Sequence, residues 1–536
     1  MKMSSLKKEP IWIFLGSLLV CLAFNWSYSI YILDEAKNSE AAREMWISGN
    51  YVVPFFNGEL RGDKPPFHYF MMALGYQLFG VNPFGARFFS GIFGALTLWI
   101  TYRVTKKYLG IREARLSWIF LVSALFFTQE FHLAVPDPYL IFFVSGGMFA
   151  FHEYDRTRKR SWLWVMYISF ALGVLTKGPI ALGIPGLTGL LYLGTQKKLI
   201  MRYVWGMRPL WGLLVIGLLA LPWYVLVDRE TGGEWTRIFF FEHNLSRFGS
   251  EMEGHGGIFL ITPLFVFLGL LPFSVFAIQG FRWAYRNRES EPLVYLSFIM
   301  AAVTIVFFSI SSTKLPNYTM PCYPFIGIML AGYFGRVLKA ERPKGLASSL
   351  WALFFITLLI PFAAYYALQQ EDIAASDVQV AWSTVMLPLG SLWALWEYRG
   401  NRIQGVIRSL AISWILMGFV LHGYAYPRLT SNNPVKASEA FISRDARLVA
   451  FRHFNSAFPI HYNRTIFKYD SVPFLIEHLR KSPGTLIISS SGSRQMLDSI
   501  DGLELLMDRK ALFERHYTRV YKVVDRDLGT TELYAN

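Results

Sequence analysis

Long apolar runs broken by short charged connectors dominate the chain. A bilayer core of about 30 Å needs about 20 apolar residues per helix, and spans are predicted near 10–32, 84–104, 116–132, 138–153, 162–176, 178–195, 209–227, 258–279, 292–310, 318–337, 346–368, 381–397 and 405–425. That is about thirteen, several of them short or proline-bearing. Two regions depart from the pattern. Residues 34–66, DEAKNSEAAREMWISGNYVVPFFNGELRGDKPP, are charged and helix-forming, then turn-rich, where a short connector would be expected. Here Asn38 or Ser39 can cap a helix through Glu40–Ser48 with Gly49 as its stop. Its Ala41, Met45 and Trp46 are expected in the membrane interface, with Glu40, Arg43 and Glu44 in water to solubilise the helix. Asn57-Gly58 makes a turn, and Pro65-Pro66 precedes a second amphipathic stretch, FHYFMMALGYQLFG. Beyond about residue 430, ARLVAF, TLIISSS and YTRVYKVV read as short strands, with helices around SVPFLIEHLRK and SRQMLDSI.

This divides the chain into a helical membrane domain, 1–429, and a small α/β domain, 430–536, with loops 33–66 and 228–257 of the membrane domain forming the site. A domain of that size can hold its own core. His461 and Asp470 in it are expected at the surface.

Composition agrees: 53% of residues are hydrophobic and 17% charged. Basic residues fix the orientation. Alternate connectors hold Arg103, Lys106, Lys107, Arg112 and Arg115, then Arg156, Arg158, Lys159 and Arg160, then Lys197, Lys198, Arg202 and Arg208, while the opposite connectors carry most of the acids. Basic loops stay in the cytoplasm, so the N-terminus is expected inside and the C-terminal domain outside. The net charge of +15 is spread over these turns without an aromatic-interleaved stripe, which argues against a nucleic-acid partner. The first apolar run reads as an uncleaved anchor. Cys21 and Cys322 give neither a disulfide framework nor a cysteine metal site.

Polar groups on the opposite face gather at span ends. Asp34 and Glu35 stand where the first span leaves the bilayer, His132 and Asp137 in EFHLAVPDPY, Lys177 in LTKGP and Lys314 in SSTKLPNY. His243 and Arg247 lie one helical turn apart in loop 228–257. Taken singly, the acids are solvated helix ends and the lysines snorkelling side chains. Taken together, they predict one cavity lined by carboxylates and cations. A transporter or flippase of a charged lipid or solute would place charges near span midpoints and pair broken helices, and no internal repeat supports that alternative.

The segment DEAKNSEAAREMWISGNYVVPFFNGELRGDKPPFHYF, followed in order by AVPDPYLIFF, LTKGP, FFEHNLSRF and SSTKLPNYTMPCYPF, resembles the GT-C membrane glycosyltransferases over roughly the first 330 residues. Within these it is most similar to the lipid A aminoarabinose transferases, and next to the protein O-mannosyltransferases. The tail matches only in kind. The resemblance implies a GT-C fold of about thirteen transmembrane helices in a bacterial plasma membrane, working as a monomer. It implies transfer of a sugar from a polyprenyl (undecaprenyl) phosphate to lipid A or another envelope acceptor, with transfer to protein as the alternative.

By the same resemblance Asp34 is the base and Asp137 supports the site. Lys64 meets the lipid phosphate with Arg247, and Glu35, Tyr69, Lys177, Lys314 and Tyr318 contribute to substrate binding. The chemistry is consistent: a phosphate leaving group needs cations rather than a proton donor, so one carboxylate suffices as base for an inverting attack. Where the family has Glu before the lysine, this chain has Asp63, one methylene shorter. Asp63 with His243 or His255 is the candidate site for a divalent metal, zinc or magnesium, although two donors fall short of a structural zinc set.

Overall fold

A computed structural model describes residues 3–245, 256–339, 345–512 and 516–524. Arg247 and His255 lie outside the described residues. Among the described residues six helices are long and apolar enough to cross a membrane: Pro83–Tyr108, Pro209–Glu230, Pro292–Ile310, Leu346–Gln369, Ser376–Arg399 and Ile403–Ser431. Ile261–Gly269 and Phe273–Arg286, bent by 117°, form one further candidate span, and Glu9–Leu22, Ser161–Lys177 and Ile180–Thr195 are shorter apolar helices.

Near the site the helices are α1 (Met3–Leu22), α2 (Leu33–Ser48), α3 (Phe67–Phe79), α4 (Pro83–Tyr108), α5 (Ile111–Val122), α6 (Leu125–Glu130), α7 (Asp137–Thr157), α8 (Ser161–Lys177) and α9 (Ile180–Thr195). Helix α4 packs against α1, α3, α5 and α7, and α7 packs along α8. Two apolar runs are shorter as helices than as sequence patterns. The run at 10–32 stops at Leu22, where Phe24 turns left-handed and the Asn25 amide donates to the Cys21 carbonyl. The run at 116–132 breaks between α5 and α6, where Ala124 is extended.

The first loop differs from its sequence reading in a way that matters for chemistry. Helix α2 starts at Leu33, not at Asn38 or Ser39, so Asp34 and Glu35 occupy its first turn. Acids are favoured there by the helix dipole. Gly49 ends the helix in the left-handed conformation expected of it. Asn57 and Gly58, both left-handed, close the hairpin of β1 (Phe55–Phe56) and β2 (Glu59–Leu60).

At the C-terminal end, β3 (Leu448–Phe451), β4 (Phe467–Tyr469), β5 (Leu486–Ser490), β6 (Leu503–Lys510) and β7 (Tyr517–Val523) form one sheet in the order β4-β3-β5-β7-β6. Strand β3 runs parallel to β4 and β5, and β7 antiparallel to β5 and β6. Sheet and first loop share a core: Ala41 and Met45 of α2 and Met72 and Tyr76 of α3 are buried with Phe458, Ile460, Ile488 and Val520. Ala41 and Met45 are therefore interior, not interfacial, and only Trp46 of the expected trio is exposed. Glu40 and Arg43, expected in water, are buried and paired, and Arg43 also donates to the Asn463 carbonyl at 3.3 Å. Asp470 is exposed as expected, while His461 is partly covered and pairs with Glu439 at 2.8 Å.

Candidate active site

The β1–β2 hairpin delivers the chain into Arg61-Gly62-Asp63-Lys64, and Pro65-Pro66 then turns it into α3. This loop is pinned from the far side: the Trp235 indole N–H donates to the Arg61 carbonyl at 2.9 Å. A Cβ on Gly62 would lie 2.6 Å from the Ile238 side chain, so only glycine permits that approach.

Arg61 is the hub. Its guanidinium donates to Asn38 Oδ1 at 2.8 Å and Tyr69 Oη at 3.0 Å, and lies 2.9 Å from Asp63 Oδ2 and 3.6 Å from Asp34 Oδ1. Lys64 Nζ approaches the same Asp63 oxygen at 3.4 Å. Half the Asp34 side chain remains accessible, whereas 13% of Asp63 does. Burial pushes the Asp34 carboxyl up, but Lys64 and Arg61, helped by Lys177, prevail and hold it below its ordinary value. Asp63 is likewise pushed up by burial and held well below the usual range by Arg61 and Lys64. Both acids are thus ionised at neutral pH.

Beside this loop opens a cavity of about 330 Å³. Its polar lining comprises Asp63, Lys64, Lys177, His243, Ser311 and Tyr318, and Leu140, Val144, Ile180, Ile184, Phe307 and Phe308 give it an apolar wall. Lys177, at the end of α8, pairs with Asp137 Oδ1 at 2.6 Å and sits 5.1 Å from the centre of the Tyr318 ring. Lys314 is buried next to the lining and donates to the Ser311 carbonyl at 2.6 Å. Groups separated by up to 284 residues in sequence, from Asp34 to Tyr318, therefore converge.

Glu35 and Tyr69 are placed elsewhere. Glu35 is fully buried, accepts from Arg87 at 2.6 and 2.9 Å and from the Ala134 amide at 2.9 Å, and faces the helix bundle. Tyr69 is buried behind Arg61 and does not line the cavity. The structure adds two groups that sequence reasoning missed. One is Arg61, whose only sequence signal is a base two positions before Asp63. The other is Glu130, a lone acid at the end of an apolar run. It is buried within electrostatic range of Asp137, Lys177 and Asp34, and its Oε1 has no hydrogen-bond partner among the described residues.

The metal candidates Asp63 and His243 line the same cavity. Asp63 Oδ2 faces Arg61 and Lys64, while Oδ1 is buried without a hydrogen-bond partner among the described residues. No cluster of three His, Cys, Asp or Glu suited to a metal occurs among those residues. Asp63 and His243 thus bring one carboxylate and one imidazole to the cavity wall, a set that needs further ligands from substrate or solvent.

Residues 63–225 match the family model described as dolichyl-phosphate-mannose-protein mannosyltransferase. The chain is 30% identical to an uncharacterized protein of Aquifex aeolicus over 64% of this chain and 67% of that one. It is 28% identical to the undecaprenyl phosphate-alpha-4-amino-4-deoxy-L-arabinose arabinosyl transferase of Pseudomonas savastanoi pv. phaseolicola, over 82% of this chain and 81% of that one. The crystal structure of ArnT from Cupriavidus metallidurans bound to undecaprenyl phosphate superposes with a TM-score of 0.80 at 19% identity, covering 97% of this chain and 98% of that one.

Proposed function

We propose, for a chain that belongs to the GT-C membrane glycosyltransferases of the aminoarabinose-transferase and protein-mannosyltransferase superfamily, that it moves a sugar from a polyprenyl phosphate to lipid A or a related envelope glycolipid. The observation that carries this reading is the pairing, in one cavity, of a cationic end at Lys64 and Lys177 with an apolar wall. A lipid phosphate needs both: fixed charge for the head group and a hydrocarbon surface for the first prenyl units.

In the reaction, an acceptor hydroxyl or phosphate oxygen attacks the anomeric carbon from the side opposite the phosphate. The bond from that carbon to the phosphate oxygen breaks, and its electron pair stays on the departing polyprenyl phosphate. Lys64, Lys177 and Arg61 stabilise the charge that develops there. Asp34 takes the proton of an acceptor hydroxyl. Its half-open side chain suits this role, whereas Asp137 is buried against Lys177 and serves to position that cation. Asp63, through Oδ1, and His243 would hold a divalent cation, zinc or magnesium, which when bound supplies further positive charge at the phosphate. The cavity then opens toward the outer leaflet, with the N-terminus in the cytoplasm, the C-terminal sheet outside and the chain working as a monomer.

The test is sugar release from labelled polyprenyl-phosphate donors by the protein in lipid, comparing the native chain with Asp34→Asn. A fall in kcat of about 10²–10⁴-fold with donor binding retained is expected on losing a general base. Unchanged turnover in the variant would move the base elsewhere. If the native protein consumes no donor, aminosugar or hexose, the transferase reading fails and a transporter becomes the better account.

A further inference from the structure

The two cations that line the cavity beside the Arg61 loop each have a glycine at hand, and both glycines face the same helix. Gly62 stands two residues before Lys64, and Gly178 directly follows Lys177. A Cβ on Gly62 would come within 2.6 Å of the Ile238 side chain, and one on Gly178 within 2.5 Å of the Phe239 ring. Neither gap admits a methyl group. Ile238 and Phe239 open the π-helix Ile238–Leu245, and neighbouring side chains on a helix point in different directions. Two consecutive residues therefore fill two separate notches, and the helix is wedged between the segments that carry Lys64 and Lys177.

The wedge is tightly packed. Phe239 is buried and stacks on Trp235 with ring centres 4.9 Å apart. Trp235 is fully buried, meets Trp223 edge-to-face at 4.8 Å, and is the residue whose indole holds the Arg61 carbonyl. The preceding helix, Pro209–Glu230, is fastened to α8 by Tyr224, whose hydroxyl donates to the Val174 carbonyl at 3.0 Å. Contacts thus run from Arg61 through Trp235 and Phe239 to Gly178.

Such a link answers a need of the site. Lys64 lies 3.4 Å from Asp63 on its own loop, and Lys177 pairs with Asp137 across α8 and α7. Each pair is local to its own element, so neither sets the distance between the two like charges. Cations stabilise charge developing on a phosphate without reorganisation only when their spacing is already fixed.

We infer that Trp235, Ile238 and Phe239 are positioning residues for the transfer, keying the Lys64 loop and the Lys177 turn to one another so that both cations meet a single phosphate. This rests on the proposed polyprenyl-phosphate donor.

The test uses the full-length protein in detergent, titrated with undecaprenyl phosphate and with undecaprenol and read by native mass spectrometry. Phe239→Ala should weaken binding of the phosphate by about tenfold and leave the alcohol unchanged, because displaced cations cost only the charged head group. Equal losses for the two lipids overturn the inference and make Phe239 a piece of the apolar wall. Gly62→Ala, which leaves that wall intact, should show the same phosphate-selective loss. With one wedge holding both segments, the double variant should bind like the weaker single one; losses that multiply to about a hundredfold would show two independent contacts and overturn it as well. Hydrogen exchange gives a readout that needs no lipid. In Phe239→Ala, protection should fall in the Arg61–Lys64 loop as well as in the turn after Lys177, and a change confined to that turn refutes the coupling. If Phe239→Ala does not fold, Phe239→Leu carries the same comparisons. Should the native protein bind phosphate and alcohol alike, the donor reading fails, and hydrogen exchange alone decides whether the wedge links the two segments.

Discussion

Asp34 and Asp63 share one guanidinium, and that sharing sets how the site responds to acid. Burial alone would raise both carboxyls, but the surrounding cations outweigh it, and both lie below their ordinary value of 3.8. For a depressed carboxyl, the stabilising interaction is fully present above the unfolded-state value and is lost as pH falls through the lower folded value. Turnover should therefore stay flat from neutral pH down past the ordinary aspartate range. Replacing Lys64 by glutamine removes the largest of the charges opposing burial at Asp34. The acid limb of kcat/KM in Lys64→Gln should move upward relative to the native chain, and an unmoved limb would assign it to another group. At this scale the sequence was informative about Asp63, Lys64, Lys177, His243 and Tyr318, all of which line one cavity. It was silent on Arg61, because a base beside an acid in a polar loop reads as solvated until the fold shows its four partners. Glu35 misleads for a geometric reason. Successive helical residues diverge by about 100°, so if Asp34 faces the site its neighbour must face the bundle.

That divergence makes Glu35 an anchor for an element. Its pair with Arg87 ties α2 to α4 inside a fully buried environment, where both charges are committed to each other. Removing one partner of such a pair costs about 3–5 kcal/mol, because the other is left buried and uncompensated. Arg87→Met should lower the thermal midpoint in detergent and reduce the folded yield, and Glu35→Gln added to it should recover a large part of the loss. If the double variant is no better than the single, the charge left behind is not the cause. The hairpin is held differently. The Asn57 carboxamide donates to the Ile466 carbonyl at 2.9 Å and accepts from the Ile466 amide at 2.7 Å, while the Asn57 and Gly58 amides donate to Glu44. Asn57→Ala forfeits both side-chain bonds, about 1 kcal/mol each, and strains the left-handed backbone by about 1 kcal/mol more. Faster hydrogen exchange confined to residues 55–64 is expected, with a higher donor KM; unaltered exchange there would show that the clasp does not order the loop. The turn itself was legible, since Asn-Gly states its own conformation. Its partner was not, because nothing in a hydropathy pattern says that Ile466 lies across from it. The break between α5 and α6 was equally hidden, since an apolar run scores alike whether its backbone is continuous or kinked.

Across the whole molecule, the C-terminal sheet and the loop that bears the site are one packed unit. The strands around 448–451, 486–490 and 517–523 could be read from their β-branched runs, but β4 and β6 are too polar to announce themselves. The docking of sheet on loop leaves no periodic signal at all. It buries the Glu40–Arg43 pair of α2 against the end of the helix Ala457–Tyr462, and this gives the docked state its own pH dependence. Burial raises the Glu40 carboxyl to about 7 from an ordinary 4.5, with Arg43 only partly offsetting it. A carboxyl raised on folding contributes stability that is complete below its unfolded-state value and is lost as pH rises through the folded one. Docking should then weaken between about pH 4.5 and about pH 7, by about 3 kcal/mol at most. Hydrogen exchange in α2 and in residues 457–466, corrected for the intrinsic pH dependence of the amides, measures that opening directly. Protection in the native chain should fall over this interval, and in Glu40→Gln it should not, because the amide cannot titrate. Equal pH dependence in the two proteins would show that Glu40 stays ionised against Arg43 throughout. The sheet would then be held to the loop by the shared apolar core alone.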